Sequence, residues 1–259
     1  MKLAISGLAV VFVSLVPSSF GATITNGVFD ISGTIFVTNP EASPVVTAAG
    51  TCPTGVACIL WQDANGTTSG KVDISTAGLP SGDIPVGIAG NDAANVATLM
   101  NPPDGVGTAI DLPDFMTFNN AGVTTTLTLT QILPGIYTST DCTAAPAVGQ
   151  TCTPTGSLFN LVNNPPPTGQ ATVTWVLEGT TSSGSTWVGN FTSQFPQNTP
   201  FQTVLSNLET NGFVNNTFSA TITLTPPSMV PEPGTMVFMA IGSALIGLAA
   251  LLRNRRSAR

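Results

Sequence analysis

A regular alternation of apolar residues with threonine and serine constrains the fold of this chain more than any other feature of its sequence. In the stretch TFSATITLT (217–225), phenylalanine, alanine, isoleucine and leucine alternate with small hydroxylated residues. Four further stretches alternate in a similar way: 29–37, 123–130, 171–178 and 186–195. A period of two places the apolar residues on one face of a β-strand, and β-branched threonine suits the solvated face. These stretches predict an all-β fold, and strands with one buried face are typical of a β-sandwich.

Two segments have features of short helices instead. In 199–212, Thr199 is a predicted N-cap, Pro200 lies in the first turn, and Gly212 stands just past the end. The apolar stripe of this helix would consist of Phe201, Val204, Leu205 and Leu208. The segment NDAANVATLM (91–100) predicts a second helix, which the two prolines after Asn101 would stop. The predicted fold is therefore a β-sandwich with one or two short helices.

Residues 1–21 have the three-part layout of a secretory signal peptide. Lys2 supplies the positive charge, residues 3–16 form an apolar stretch, and proline and small residues follow. Small residues stand three and one positions before the bond that follows Gly21, which favours cleavage there. The alternative is an uncleaved N-terminal anchor.

The segment between this leader and the C-terminal signal, residues 22–229, is the predicted exported β-rich domain. Its length suits one large β-domain or two small ones. Residues 78–122 have poor periodicity and many Asp, Gly and Pro residues, so they predict a long loop region or a boundary between two subdomains. The proline-rich stretch NNPPPTG (163–169) is a second candidate boundary.

The charge of the exported segment excludes several classes of function. Lys71 is the sole basic residue in 22–229, whereas all acidic residues except Glu232 lie in that segment. Such a domain repels phosphate backbones, so we expect no nucleic-acid binding. The chain contains no histidine, which excludes Ser-His-Asp and Cys-His catalysis and histidine-ligated metals. We therefore expect a protein that is not an enzyme.

The four cysteines form two local pairs in turn-rich loops. Cys52 and Cys58 flank one loop, and Cys142 and Cys152 flank the other. An exported chain is oxidised, so we predict two short-range disulfides, with local pairing favoured among the three pairings that four cysteines allow. A zinc site is the alternative, but neither the spacing nor the absence of histidine favours it.

Acidic loops make calcium the one cofactor that we consider. The stretch DANGT offers Asp63 and Asn65 as tentative calcium ligands, and the stretches GNDAAN and DLPD offer further oxygen atoms. A plain turn is the alternative for each of them. Together with Trp61, the one tryptophan expected to be exposed, these loops suggest a calcium-assisted adhesion or glycan-binding module as an alternative function.

Carboxylates also leave open a second alternative, a glycan hydrolase. Glu178 at the end of a predicted strand could pair with Asp141 or Glu209, although the sequence does not give their separation. Solvated acids are the simpler interpretation. Trp175 and Trp187 fall on apolar strand faces and are predicted to be core residues.

The last part of the chain combines three elements in a fixed order. Residues 235–252 are 18 residues without a charge, which as a helix would be about 27 Å long, enough to span a membrane. The motif before this predicted transmembrane helix consists of Val230, Pro231, Glu232 and Pro233. The basic tail 253–259 contains Arg253, Arg255, Arg256 and Arg259. Arginines beside a span stay in the cytoplasm, so the tail is a predicted cytoplasmic anchor; a buried core helix is the alternative.

This order of motif, helix and basic tail resembles the PEP-CTERM sorting signal, and the resemblance covers residues 230–259. It implies export, anchoring in the inner membrane with the domain outside the cytoplasm, and processing near the motif by an exosortase, a membrane protease. Such proteins occur in Gram-negative bacteria that make exopolysaccharide. The resemblance thus implies a cell-surface or extracellular-matrix protein whose partners are an exosortase, the membrane and, in one reading, exopolysaccharide.

Overall fold

The computed structural model of this chain describes residues 24–39, 45–75, 81–84, 88–120 and 122–227. Contacts divide the chain into two units, residues 1–225 and 226–259. The predicted signal peptide, the motif 230–233, the predicted transmembrane helix 235–252 and the basic tail 253–259 lie outside the described residues. Within the described ranges, no helix has the length and apolar character that crossing a membrane requires.

Most of the described residues form strands. The strands are β1 Gly27–Thr38, β2 Val45–Thr47, β3 Gly50–Cys52, β4 Cys58–Gln62, β5 Lys71–Ser75, β6 Ser81–Gly82, β7 Gly90–Val96, β8 Leu99–Met100, β9 Ala109–Asn120, β10 Val123–Ile132, β11 Thr151–Cys152, β12 Asn160–Asn163, β13 Ala171–Thr181, β14 Thr186–Gln194 and β15 Phe213–Thr225. The helices are α1 Pro102–Gly105, α2 Phe201–Asn211 and a 3-10 turn at Thr140–Thr143. The prediction of an all-β protein with short helices is thus confirmed.

The long strands form one sheet that closes on itself. Its order is β10-β9-β7-β5-β1-β15-β14-β13, and β13 pairs again with β10 through Leu127–Thr181 and Ile132–Leu177. Eight strands therefore make a closed, barrel-like sheet rather than the two facing sheets of the predicted sandwich. The alternation in each strand is the same for both architectures, because it reports only that one face is buried.

Large aromatic side chains fill the interior of the closed sheet. Trp175 stacks on Phe191 with ring centroids 5.1 Å apart, and Phe115 stacks on Trp187 at 5.8 Å. Trp175 and Trp187 are each 1% exposed, as their strand positions predicted. Trp61 is also 1% exposed, so the expectation of an exposed stacking platform is wrong.

Both faces of the strand that carries Trp61 are covered, and Trp61 lies on the face that enters the main core. On one face of β4, Ile59 and Trp61 enter the main core. On the other face, Cys58 and Leu60 join a small separate cluster with residues of the β2–β3 hairpin, including Cys52. The cover on that second face comes from Phe36, the β2–β3 hairpin and Phe213, and the continuous apolar run 57–61 fits a strand that is buried on both faces.

Helix α2 forms where the apolar stripe predicted it, although its start differs. Phe201 and Val204 are buried, and Gly212 adopts the left-handed conformation (φ 77°) and donates its N–H to the Leu208 carbonyl. The N-cap residue is Pro200, not the predicted Thr199, and no side chain of the N-cap residue caps the helix. Instead, the side-chain oxygen of Asn163 accepts the Phe201 N–H at 2.8 Å, a cap from a residue distant in sequence.

The predicted helix at 91–100 is wrong, because this segment forms strands β7 and β8. Ala94 and Val96 face the core at 0% and 6% exposure, with the exposed Asn95 between them. The strand β7 pairs with β5 on one side and β9 on the other. Alanine has a high helix propensity, but the backbone of this segment forms its hydrogen bonds with the two flanking strands instead.

The two stretches that were candidate domain boundaries, 78–122 and 163–169, contribute to the same sheet. Residues 78–122 contain the long strand β9, where Met116 pairs with Leu127 and Leu112 with Leu129. The unequal spacing marks a bulge that accommodates Pro113, which cannot donate to a regular ladder. Residues 163–169 connect the neighbouring strands β12 and β13.

Candidate metal centre

Three aspartates from different elements meet at one place on the outer side of the closed sheet. Asp63 directly follows β4, Asp73 lies in β5, and Asp92 lies in β7. Each offers a carboxylate oxygen, and these oxygens all lie within 4.8 Å of one another. Pairing of Val72 with Ala94 and of Ile74 with Gly90 brings β5 and β7 together at an irregular position, so that Asp73 stands beside Asp92.

The loop after β4 holds the Asp63 carboxylate in a fixed position. Asp63 is fully buried, and its Oδ1 accepts the backbone N–H groups of Thr68 at 2.6 Å and Thr67 at 2.7 Å. The Thr67 hydroxyl donates to Oδ2 at 3.0 Å. The hydrogen bond from the Thr68 N–H makes the largest contribution to lowering the pKa of the Asp63 carboxyl, and the Thr67 donors lower it further. Burial has the opposite effect but does not cancel this decrease. Asp63 is therefore held in its charged form.

Asp92 connects the other two aspartates and carries an unsatisfied oxygen. Its backbone N–H donates to Oδ1 of Asp73 at 2.8 Å, and its Oδ2 accepts the Thr68 hydroxyl at 3.2 Å. Asp92 adopts the left-handed conformation (φ 54°). Its Oδ1 is buried and has no hydrogen-bond partner among the described residues. A buried carboxylate oxygen without a donor is costly unless a cation binds it or a water molecule donates a hydrogen bond to it.

These distances suit an oxygen-coordinated cation. Calcium binds oxygen ligands at about 2.4 Å, so two oxygens on the same ion are at most about 4.8 Å apart. Lys71 is the sole basic residue in the described ranges. Little positive charge in the protein therefore offsets the repulsion among the three clustered carboxylates. The three aspartates thus offer carboxylate ligands at a spacing that fits calcium, while water or backbone carbonyls would complete six to eight ligands.

The sequence located part of this cluster. Asp63 belongs to it, and Asp92 lies in the stretch GNDAAN that was considered for its oxygen atoms. Asn65 lies on the exposed part of the loop, and Asp114 is exposed on β9. Asp73 was not considered, because an acid between Val72 and Ile74 only indicates the polar face of a strand.

The carboxylates considered for glycan hydrolysis lie on three separate elements. Glu178 is on the outward side of β13 opposite Val188, Asp141 is in the 3-10 turn, and Glu209 is exposed on α2. The hydrolase alternative stays a prediction.

Both predicted disulfides are present. Cys52–Cys58 joins the end of β3 to the start of β4, and Cys142–Cys152 joins the 3-10 turn to β11. Closing such short loops contributes about 2–3 kcal/mol each in the chain-entropy account. With all four sulfurs bonded, no free cysteine remains in the described part of the chain.

Comparison with known proteins identifies the C-terminal segment. The family model of the PEP-CTERM protein-sorting motif matches residues 230–256. This match includes the motif 230–233 and the uncharged stretch 235–252, in the order that the sequence indicated. No curated protein and no solved structure matches the chain.

Proposed function

We propose that this chain is a non-catalytic protein of the cell surface or extracellular matrix, exported and then processed by an exosortase. The observation that carries the proposal is the PEP-CTERM sorting motif at residues 230–256. The motif implies export, membrane anchoring at the C-terminus and an exosortase as processing partner. We infer an inner-membrane helix at 235–252 from the uncharged length of this stretch and from the arginines after it. We infer release to the surface from the expected processing by an exosortase.

The properties of the exported domain support a structural or binding role. Its interior is filled by aromatic and aliphatic side chains, so the closed sheet encloses a packed core. The chain contains no histidine, and its cysteines are paired in disulfides. These features leave carboxylates and hydroxyl groups as its main reactive side chains. Among the described residues, three carboxylates lie together, those of Asp63, Asp73 and Asp92.

The residues of the motif suit recognition by a membrane protease. Pro231 and Pro233 fix their own φ angles and push the preceding residues towards extended geometry. Glu232 carries a charge that resists entry into lipid. Residues 230–233 would therefore form an extended, membrane-proximal segment with one charged group, a form that a protease cleft can bind.

Replacing Pro231 and Glu232 together by alanine is expected to abolish processing. The wild-type protein should be recovered in a shortened form, whereas the variant should keep its full mass and stay in the membrane fraction. Mass spectrometry of fractionated cells measures both properties. The matched control replaces Pro226 and Pro227 by alanine, because these prolines precede the matched residues. Identical mass and location for the variant and the wild type would refute the sorting role.

A second candidate function is calcium-assisted adhesion or glycan binding by the exported domain. The cluster of Asp63, Asp73 and Asp92, with its unsatisfied Asp92 oxygen, favours it. A bound calcium ion would offset two of the three negative charges of the cluster and hold the loop after β4 against β5 and β7. Calcium would thus order a surface loop where a glycan could bind.

Replacing Asp92 by asparagine is expected to remove the response of the protein to calcium. Calcium at about 100 times its Kd should raise the wild-type Tm by about 5–10 °C. Without calcium, the variant should be at least as stable as the wild type, because one repelling charge is gone while asparagine tolerates the same backbone conformation. Calorimetric Tm values with calcium and with a chelator measure both effects.

Asp114→Asn is the matched control for this test. Asp114 has the same φ of 54° but is exposed, so its variant should keep the wild-type calcium response. An unchanged wild-type Tm on calcium addition, or equal calcium responses in both variants, would refute the metal centre. Either result would leave the sorting role intact, since that role rests on residues 230–256.

A further inference from the structure

An apolar cleft lies at one end of the closed sheet, beside helix α2. Its volume is about 520 Å³, within the range of roughly 300–1,000 Å³ typical of small-molecule sites. Its lining includes Leu161, Trp175, Phe195, Val204, Leu205 and Leu208. Leu205 and Leu208 of α2 are only partly buried, so they offer apolar surface towards this space.

The cleft has almost no charge. Glu209 is its sole acidic lining residue and is exposed, while Cys58 and Cys142 are held in disulfides. The basic residue Lys71 is not among the lining residues. An anionic ligand would therefore find no counter-ion here and would also meet the negative charge of the domain.

The polar groups in the wall are mostly satisfied already. The Asn216 side-chain amide donates to the Ser193 hydroxyl at 2.9 Å and to the Gln194 carbonyl at 2.8 Å. The Ser193 hydroxyl donates in turn to the Thr217 carbonyl at 2.8 Å. The exception is Trp175, a lining residue only 1% exposed, whose indole N–H has no acceptor among the described residues. This nitrogen is itself inaccessible to solvent, so it presents no hydrogen-bond donor to the cleft.

We propose that this cleft binds an uncharged, largely apolar small molecule. Apolar contact with the aromatic and leucine side chains would supply most of the binding free energy. The missing counter-ion makes the site selective against acids of the same shape.

Two fluorescent probes that differ by one charge test this proposal. N-phenyl-1-naphthylamine is neutral and apolar, and 1-anilinonaphthalene-8-sulfonate has the same ring system with a sulfonate. Protein purified from cells that express the full chain should bind the neutral probe saturably, at one site per chain, and at least tenfold more tightly than the anionic probe. Non-saturable binding of the neutral probe, or equal affinity for both, would overturn the proposal.

A pair of variants on α2 places the binding in the cleft. Leu208→Asp puts a charge in the wall and should weaken binding of the neutral probe at least tenfold. Asn207→Asp adds the same charge at the neighbouring exposed position outside the lining and should leave the affinity unchanged. Equal affinities in the two variants would show that the probe binds elsewhere. The comparison of the two probes on unmodified protein holds even where Leu208→Asp fails to fold.

Discussion

Replacing Gly179 by alanine is expected to destabilise the domain by about 4 kcal/mol, a large effect for one methyl group. A Cβ atom at this position would lie 1.9 Å from the Thr128 carbonyl oxygen and 2.5 Å from Nε1 of Trp187. That carbonyl accepts the Trp187 N–H at 3.0 Å. Since the first contact is with backbone, no rotation of a side chain relieves it.

The clash would occur where the sheet closes. Gly179 pairs with Leu129 on β10, and the β10–β13 pairing is what turns an open sheet of eight strands into a closed one. Forcing the strands apart here would also break the hydrogen bond from the Trp187 N–H to the Thr128 carbonyl. We therefore expect the variant to weaken the pairing of β10 with β13 as well as to lower the stability of the domain.

Urea unfolding followed by tryptophan fluorescence measures the change in the free energy of unfolding. The control is Thr180→Ala at the adjacent exposed residue, which pairs across to Thr128 and Thr186 and should change stability by less than about 1 kcal/mol. If the two variants unfold at the same urea concentration, a clash between a Cβ atom at position 179 and strand β10 is not the reason for glycine at this position.

The second large effect is expected for Trp61→Ala, which should cost about 3–5 kcal/mol. The indole contacts Phe218 at 5.3 Å and Phe191 at 5.8 Å between ring centroids. Its N–H donates to the Ala97 carbonyl at 3.0 Å, so truncation also leaves a backbone acceptor without its donor. Trp61→Phe keeps much of the packing and should cost clearly less.

This variant separates a core role from a glycan platform. If Trp61 were an exposed platform for glycan stacking, its substitution would remove glycan binding and leave the stability of the protein unchanged. The control is Ile136→Ala, because Ile136 is an exposed hydrophobic residue and its truncation should change the Tm little. Thermal unfolding of the three variants decides between the roles, and an unchanged Tm for Trp61→Ala would contradict the buried position.

Much of the strand content was predictable from local pattern. The alternation in 171–178 and 217–225 correctly assigned Trp175, Leu177 and Ile222 to the core, because period two is a property of a single strand. The helix at 201–211 was predictable for the same reason, since its apolar stripe and Gly212 are local signals. Segment 91–100 was misread because its short alanine-rich run suits a helix or a strand until partners are known.

The candidate metal centre was predictable only in part. The loop after β4 is recognisable in the sequence from Asp63 and the turn residues that follow it. Asp73 and Asp92 join Asp63 through the pairing of β5 with β7, which leaves no trace in either segment alone. The apolar cleft likewise combines side chains from β1, β13, β15 and α2.

The sequence by itself determined the sorting motif, the two disulfide pairs and which face of each long strand is buried. Each of these depends on residues that lie close together in the chain. Only the tertiary structure decided that β10 pairs with β13, that Trp61 is covered on both sides of its strand and that three aspartates converge. Those outcomes depend on which distant strands pair and in which register, and a period-two pattern is compatible with many such pairings.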